Sequence, residues 1–262
     1  MKTPRMLKDA VGAVADVLLP QQCWAGATGE VTLGLSMEAR DKIARLAAQR
    51  YCWYCGLSIG PHERHDRRNP CGRCGQRLAG PDRLARVGTF SEPLVTLVHR
   101  LKFGRSWEVA EVAAPFLYQA IVRVAEEARV PVGLLAPVPL HWTRRARRGF
   151  NQAEELARAT ARLSGWPTAS LLRRRRRTAE QALTHSMEQR RDNLRGAFAC
   201  LAGAAPMAAG KHVWLIDDVT TTGATLHAAV SALRTLPRDR RPASISAAVL
   251  CVTDHGSPPT AP

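Results

Sequence analysis

The segment VWLIDDVTTTGATL, residues 213–226, decides the fold that we expect for this chain. Its apolar start leads into two adjacent aspartates, Asp217 and Asp218, and a small, hydroxyl-rich turn follows at once. A short apolar run bounded by a turn is typical of a buried strand, and we expect this strand to end at Asp217. Apolar residues at helical spacing then predict a helix over residues 224–236. Its inward face consists of Leu226, Val230 and Leu233.

The turn after the aspartates has the composition of a phosphate site. A phosphate at a helix N-terminus needs free backbone N–H groups and residues small enough to permit close approach. Gly223 and Ala224 meet the second condition, and hydroxyl donors come from Thr221, Thr222 and Thr225. The aspartates would repel a phosphate, so we expect them to accept hydrogen bonds from the vicinal hydroxyls of a ribose. The segment thus predicts a site for a 5-phosphoribosyl group.

The aspartate pair on its own also permits a second interpretation, a metal-binding or capping pair at the end of an ordinary Rossmann-like strand. The rest of the chain narrows the class of ligand. It contains neither a Gly-x-Gly-x-x-Gly pattern nor a Walker lysine pattern, which argues against dinucleotide and ATP binding.

From about residue 80 onward, short apolar runs alternate with amphipathic segments. This alternation is typical of βα units around a parallel sheet, so we predict the α/β class. Asn151 and Glu154 form the capping-box pattern of one helix. The inward face of that helix is expected at Ala153, Leu156, Ala157, Thr160 and Leu163. Other expected strands span 84–90, 132–140, 170–178 and 244–252, and other expected helices span 92–103 and 186–198.

Charge is the unusual total of this 262-residue chain. Lysine and arginine number 38 against 22 acidic residues, for a formal net charge of +16, whereas the hydrophobic fraction of 45% is ordinary. Such a surplus favours partners that carry phosphate: nucleic acid, a nucleotide-like small molecule or an acidic membrane surface. The alternative is a basic composition that only keeps the protein soluble.

The first residues loosely imitate a signal peptide, but Asp9 and Asp16 interrupt the apolar stretch. Helical spacing favours a short amphipathic helix instead, with apolar residues at Leu7, Val11, Val14, Leu18 and Leu19. No apolar run approaches the roughly 20 residues needed to cross a bilayer. We therefore expect a cytoplasmic protein, in which cysteines serve as metal ligands or buried thiols rather than disulfides.

Two Cys-x-x-Cys-Gly repeats, separated by fifteen residues, supply Cys52, Cys55, Cys71 and Cys74. This spacing matches a structural zinc ribbon, because a tight turn between two thiolates aims both at one tetrahedral ion. Redox pairs are the competing interpretation, and His62 or His65 could replace one cysteine as a ligand. The remaining cysteines are expected to be buried thiols: Cys23, Cys200 and Cys251.

Taken together, these features resemble the competence protein F (ComF) family of type I phosphoribosyltransferase-like proteins. Beyond the acidic motif and the cysteine pairs, the resemblance lies in LKFG at 101–104, PVPLHWTRRARRGFNQA at 137–153 and RTAEQALTHSMEQRRDNLRGAF at 177–198. It covers nearly the whole chain and implies a parallel sheet flanked by helices, with a small N-terminal zinc-ribbon region of four cysteines. Many members carry a further Cys-x-x-Cys near the N-terminus. Only Cys23 stands there, so a second metal site is not expected.

Matched position by position, the resemblance implies roles for four groups of residues. Asp217 and Asp218 are the implied catalytic pair, which contacts the ribose of phosphoribosyl pyrophosphate (PRPP) bound with Mg²⁺. The 5-phosphate is held by Thr221, Thr222, Gly223, Ala224 and Thr225. The pyrophosphate loop consists of Leu140, His141, Trp142, Thr143 and Arg144. The mobile loop that closes over the site includes Thr178, Gln181, Arg190 and Arg191.

Arginines are concentrated in residues 144–148 and in the unbroken run 173–177. Like charges at this density repel one another unless an anion or solvent separates them. The runs favour contact with phosphate, either with pyrophosphate through guanidinium forks or with a nucleic-acid backbone. In the second case Trp53, Trp142 or Phe150 would stack on bases. For any single arginine a solvated face is the alternative, and any tryptophan taken singly is expected in the core.

Three functions stay open at this point. The first is a phosphoribosyltransferase that uses PRPP with Mg²⁺. The second, implied by ComF kinship, is an accessory protein of DNA uptake that binds single-stranded DNA beside the competence machinery. The third is a PRPP-responsive regulator without turnover. We expect three parts in the chain: helices and the zinc ribbon in 1–80, the phosphoribosyltransferase-like domain in 81–255 and a disordered tail in 256–262.

Overall fold

A computed structural model describes residues 31–32, 34–60, 63, 69–74, 80–104, 107–140, 149–175 and 196–253. In chain order its elements are β1 (Val31–Thr32), β2 (Leu35–Ser36), α1 (Met37–Ala48), β3 (Leu84–Thr89), α2 (Leu94–Phe103), α3 (Trp107–Ala128), β4 (Leu134–Pro137), α4 (Gln152–Ser164), β5 (Leu172–Arg174), β6 (Phe198–Cys200), α5 (Ala204–Ala208), β7 (His212–Thr220), α6 (Ala224–Arg234) and β8 (Ser244–Val252). A short 3₁₀ turn at Arg238–Arg240 precedes β8. Over these ranges, no helix combines the length and apolar character needed to span a membrane.

The central sheet has the strand order β3-β8-β7-β4, and every neighbouring pair is parallel. The strands lie in close register, with Val213 opposite both Leu134 on β4 and Ile245 on β8. In a parallel sheet all carboxyl ends meet at one edge, where ligands of open α/β proteins bind. The loops after β4 and β7 therefore emerge side by side.

Two apolar cores lie on opposite faces of this sheet. Trp214 and Ile216 of β7 pack into the core that α1, α2, α3 and α4 cover, whereas Val213 and Leu215 pack against α5, α6 and the β5–β6 hairpin. Burial on both faces explains why the strands are continuous apolar runs rather than alternating ones. The predicted parallel α/β architecture, with helices flanking the sheet, is confirmed.

Element positions agree with the sequence in most cases. The strand predicted at 244–252 coincides with β8. The prediction that the acidic strand ends at Asp217 is wrong, because β7 continues to pair with β8 through Thr220, which lies opposite Val252. Leu163 is 53% exposed rather than inward. It lies in the last turn of α4, just before Gly165 redirects the chain in a left-handed conformation.

One helix was not predicted from the sequence, and some predicted segments lie outside the described residues. The long helix α3 was not predicted: it is buried around much of its circumference and contains Pro115, so it lacks a clear polar face and a clean helical period. The predicted amphipathic helix near the N-terminus, most of the predicted helix at 186–198 and the tail at 256–262 lie outside the described residues.

The described part of the N-terminal region packs directly on the sheet. Ile43, Tyr51 and Trp53 belong to the same core as α2 and α3. The guanidinium of Arg86, 1% exposed on β3, donates to the carbonyl of Gly56 and to Ser58 Oγ at 2.9 Å, and it lies over the Tyr51 ring. Trp53 is a core residue, as expected for a single tryptophan, because it is buried among the residues of this core; it is therefore not available to stack on bases. The three-part division of the chain stays a prediction.

Candidate functional site

The two aspartates lie at the carboxyl edge of the sheet, near the end of β7. Each carboxylate accepts one backbone N–H from the following residue: Asp218 N–H donates to Asp217 Oδ1 at 2.9 Å, and Val219 N–H donates to Asp218 Oδ1 at 2.8 Å. These bonds fix one oxygen of each side chain. The other oxygen, Oδ2, is not engaged by these backbone bonds, and in Asp218 it is buried.

The environment of Asp217 disfavours its charged form. Burial first, and then the negative charge of neighbouring Asp218, raise the pKa of Asp217 well above its ordinary value, while Lys102 acts in the opposite direction. A cation placed beside two such acids would relieve the repulsion between them.

The hydroxyl-rich turn lies directly beyond the aspartates and opens α6. Gly223 has φ +80°, the left-handed conformation that glycine adopts at low cost, and Thr222 Oγ1 accepts the N–H of Ala224 at 3.4 Å. The first N–H groups of a helix have no intrahelical carbonyl partner. No acidic residue occurs in the first turn of α6, so this helix start suits an anion.

Lys102, at the end of α2, is a candidate site residue that the sequence did not single out. Its Nζ lies 3.1 Å from Asp218 Oδ2. Asp218 continues the face of Trp214 and Ile216, which is the face that α2 covers. The available signal was the LKFG segment, which carried the family resemblance but had no role assigned to it.

Residues on either side of the predicted pyrophosphate loop contact each other and the strand that carries the aspartates. Val138 N–H donates to the carbonyl of Ile216, the residue before Asp217, at 2.9 Å. Asn151 caps α4 by accepting Ala153 N–H, as predicted, and its Nδ2 donates to the Val138 carbonyl at 3.1 Å. Leu140 is described here, whereas His141, Trp142, Thr143 and Arg144 lie outside the described residues.

A hairpin forms the base of the predicted mobile loop. β5 and β6 pair antiparallel, and Arg175 N–H donates to the Ala197 carbonyl at 2.7 Å. Arg174 lies over the Phe198 ring, 5.3 Å from its centroid. The first arginines of the basic run therefore belong to this hairpin. Thr178, Gln181, Arg190 and Arg191 lie outside the described residues.

The cysteines of the two Cys-x-x-Cys pairs form one compact cluster. Their sulfur atoms all lie within 4.8 Å of one another, with Cys52–Cys74 and Cys55–Cys71 at 3.5 Å and Cys71–Cys74 at 3.7 Å. A disulfide requires about 2.05 Å, whereas four thiolates around one tetrahedral zinc ion lie about 3.8 Å apart. The cluster could hold a metal ion such as zinc.

The remaining cysteines agree with their expected role in part. Cys251 on β8 is fully buried, and burial raises the pKa of its thiol. Cys200 is partly buried and its Sγ lies 3.2 Å from the Ala232 carbonyl. Cys23 lies outside the described residues.

Comparison with known proteins identifies the family of this chain. Residues 146–261 match the family model of the phosphoribosyl transferase domain, so the chain contains a phosphoribosyltransferase-type domain. The chain is 31% identical to competence protein F of Haemophilus influenzae over 188 residues, covering 71% of this chain and 79% of the relative. It is 36% identical to DNA utilization protein YhgH of Salmonella typhimurium over 193 residues, covering 70% and 78%. The chain belongs to the competence protein F family.

A solved structure, the glutamine PRPP amidotransferase of B. subtilis complexed with ADP and GMP, is also similar to part of the chain. The identity is 16% and the TM-score 0.36, covering 58% of this chain and 30% of the other.

Proposed function

We propose that this protein binds a 5-phosphoribosyl ligand, PRPP or a ribose 5-phosphate, at the carboxyl edge of its sheet. The observation that carries the proposal is the juxtaposition of Asp217 and Asp218, each with one oxygen fixed by backbone, with a glycine-containing turn that begins α6. Ribose hydroxyls donate to the two carboxylates. The 5-phosphate lies at the turn, where it accepts from backbone N–H groups and from Thr221, Thr222 and Thr225.

Two metals fit the residues present. Two carboxylates beside phosphate oxygens form the ligand set that Mg²⁺ takes in phosphate sites, and Mg²⁺ bound with PRPP would neutralise and orient the pyrophosphate. Structural Zn²⁺ would be held by Cys52, Cys55, Cys71 and Cys74, whose spacing agrees with a closed tetrahedral site. The relatives named for competence and DNA utilization support a role for this chain in the same process.

Titration of the purified protein with ribose 5-phosphate and with PRPP plus Mg²⁺, followed by thermal unfolding, tests the proposal. A ligand at 100 times its Kd stabilises the folded state by about 2.7 kcal/mol, which corresponds to a rise in Tm of roughly 5–10 °C for a protein of this size. A Tm that stays constant up to millimolar ligand would refute the assignment. Release of pyrophosphate from PRPP in the presence of candidate acceptors distinguishes a transferase from a binding protein.

A second function, binding of single-stranded DNA, is favoured by a separate observation. Phe103 and Trp107 are large apolar side chains that are 62% and 59% exposed, and Phe103 directly follows Lys102 at the aspartate pair. Exposed aromatic rings on a strongly basic protein are the usual platform for unpaired bases. These two residues therefore replace Trp53 as candidates for stacking.

We expect Phe103→Ala with Trp107→Ala to weaken the affinity for a thymidine oligomer by about tenfold or more, because each stacked base contributes about 1–3 kcal/mol. Fluorescence anisotropy at 50 and 200 mM salt measures this affinity, and the parent affinity should fall steeply with salt. Leu163→Ala, which removes another exposed apolar side chain, 53% exposed on α4, serves as the control. Equal affinities for the parent and the aromatic variant would contradict the assignment.

A further inference from the structure

The ion pair between Lys102 and Asp218 occupies the acceptor that the ligand needs. Asp218 Oδ1 already accepts the N–H of Val219, so Oδ2 is the oxygen directed away from the strand backbone. The Lys102 ammonium lies 3.1 Å from that same Oδ2. A ribose hydroxyl or a divalent cation that approaches Asp218 therefore meets the ammonium first.

Anchoring of α2 does not depend on this ion pair. The helix is held in the core by four buried side chains: Leu94, Leu97, Val98 and Leu101. The Lys102 side chain retains 26% of its exposure, against 11% for Asp218. A lysine ammonium at the end of a flexible four-carbon stem can move several ångströms without displacement of its backbone. The pair is thus free to open while the helix stays in place.

The charge of Lys102 acts on the whole acidic corner rather than on one oxygen. The ammonium opposes the rise in the pKa of Asp217, and it has the same direction of effect on Cys251, the buried thiol on β8. The ammonium of Lys102 is therefore close enough to influence Asp217 and Cys251 as well as its partner Asp218. The Lys102 ammonium would repel a divalent cation beside Asp218, whereas it would attract a phosphate group.

We infer that Lys102 is a displaceable counter-ion: it neutralises Asp218 in the ligand-free protein and moves to the phosphate oxygens of the ligand when the sugar and its cation occupy the aspartates. This inference rests on the proposed function. It assigns two opposite effects to Lys102. The ammonium weakens the binding of a divalent cation that is present alone, and it strengthens the binding of a pyrophosphate group.

The test compares Lys102→Met with the parent by using two probes separately, Mn²⁺ and inorganic pyrophosphate. Electron paramagnetic resonance of free Mn²⁺ reports cation binding, and calorimetry reports pyrophosphate binding; Mn²⁺ prefers oxygen ligands, so the cysteine cluster does not compete for it. We expect Mn²⁺ affinity to rise and pyrophosphate affinity to fall, each by about tenfold, within the range of ordinary coupling between charged ligands. Unchanged or weaker Mn²⁺ binding by Lys102→Met would overturn the inference.

Lys211→Met is the matched control, since it removes the same charge from an exposed position before β7, at the opposite edge of the sheet. It should leave both affinities at parent values. Lys102→Gln removes the same charge with a polar side chain and decides the result if the methionine variant does not fold. Failure of the proposed function is recognised independently, because a parent protein that binds no ribose 5-phosphate refutes the sugar site whatever Lys102 does to Mn²⁺.

Discussion

Asparagine at both acidic positions (Asp217→Asn with Asp218→Asn) is expected to abolish binding of the sugar phosphate while the protein stays folded. Hydrogen bonds to charged groups contribute about 1.5–3 kcal/mol each, so the loss of two corresponds to a fall in affinity of roughly 100-fold or more. Asparagine has nearly the same shape, and its Oδ1 can still accept the backbone N–H groups that now bind the two carboxylates. The effect on binding should therefore far exceed the effect on structure.

Stability of this variant should depend on pH in a defined direction. The folded-state pKa of Asp217 is raised by burial and by Asp218. The contribution of Asp217 to the stability of the folded parent is therefore fully present below the unfolded pKa, and it is lost as pH rises through the folded pKa. Asparagine does not ionise and avoids this loss. We expect the Tm of the variant relative to the parent to be higher at pH 8 than at pH 5.

Calorimetric titration with ribose 5-phosphate and thermal unfolding at the two pH values measure both effects. The control is Asp41→Asn with Asp239→Asn, which removes the same charge from two exposed positions and should alter neither affinity nor the pH trend. An acidic-pair variant that retains parent affinity within threefold would show that the carboxylates do not contact the sugar.

The second large effect is expected from Cys71→Ser, which removes one ligand of the cysteine cluster. Apparent binding of structural zinc contributes about 10–16 kcal/mol in zinc-finger peptides at pH 7. A loss of only about 4 kcal/mol would lower the Tm by roughly 8–16 °C, at 2–4 °C for each kcal/mol. The purified parent should contain one zinc ion per chain, and the variant should contain much less.

Metal analysis and thermal unfolding, with and without a chelator, test this expectation. Cys200→Ser removes a partly buried thiol outside the cluster and serves as the control. A parent protein that holds no metal, or a Cys71→Ser variant with the parent Tm in the presence of zinc, would contradict a structural metal site.

Disruption of the cysteine cluster should also lower the stability of the central sheet. Arg86 on β3 places a buried guanidinium against the Gly56 carbonyl and Ser58 Oγ, both within the cysteine-bearing segment. If that segment unfolds, a buried cation loses these acceptors, which is costly in an apolar environment. We expect loss of metal to destabilise the sheet together with the ribbon.

Sequence reasoning succeeded where the signal is local. The apolar run before Asp217, the small turn at Gly223 and the helix after it are consecutive in the chain, and each follows from short-range rules of strand burial and helix initiation. The same holds for the Asn151 cap and for the Cys-x-x-Cys pairs. In all these cases the residues that act together are separated by a few positions.

It failed where the deciding contacts are long-range. The continuation of β7 through the aspartates depends on pairing with β8, about thirty residues later in the chain. The ion pair between Lys102 and Asp218 depends on the packing of α2 against the sheet. Neither contact leaves a pattern in the local sequence.

The sequence by itself determined the class of fold, and it identified the acidic motif with its hydroxyl-rich turn and the four cysteines that form one cluster, because hydrophobic period and Cys-x-x-Cys spacing are set by neighbouring residues. Only the tertiary structure decided that Lys102 faces Asp218 and that Arg86 joins the cysteine-bearing segment to the sheet. Those pairs are more than twenty residues apart in the chain, and the stacking of α2 and of the N-terminal region on the sheet brings them into contact.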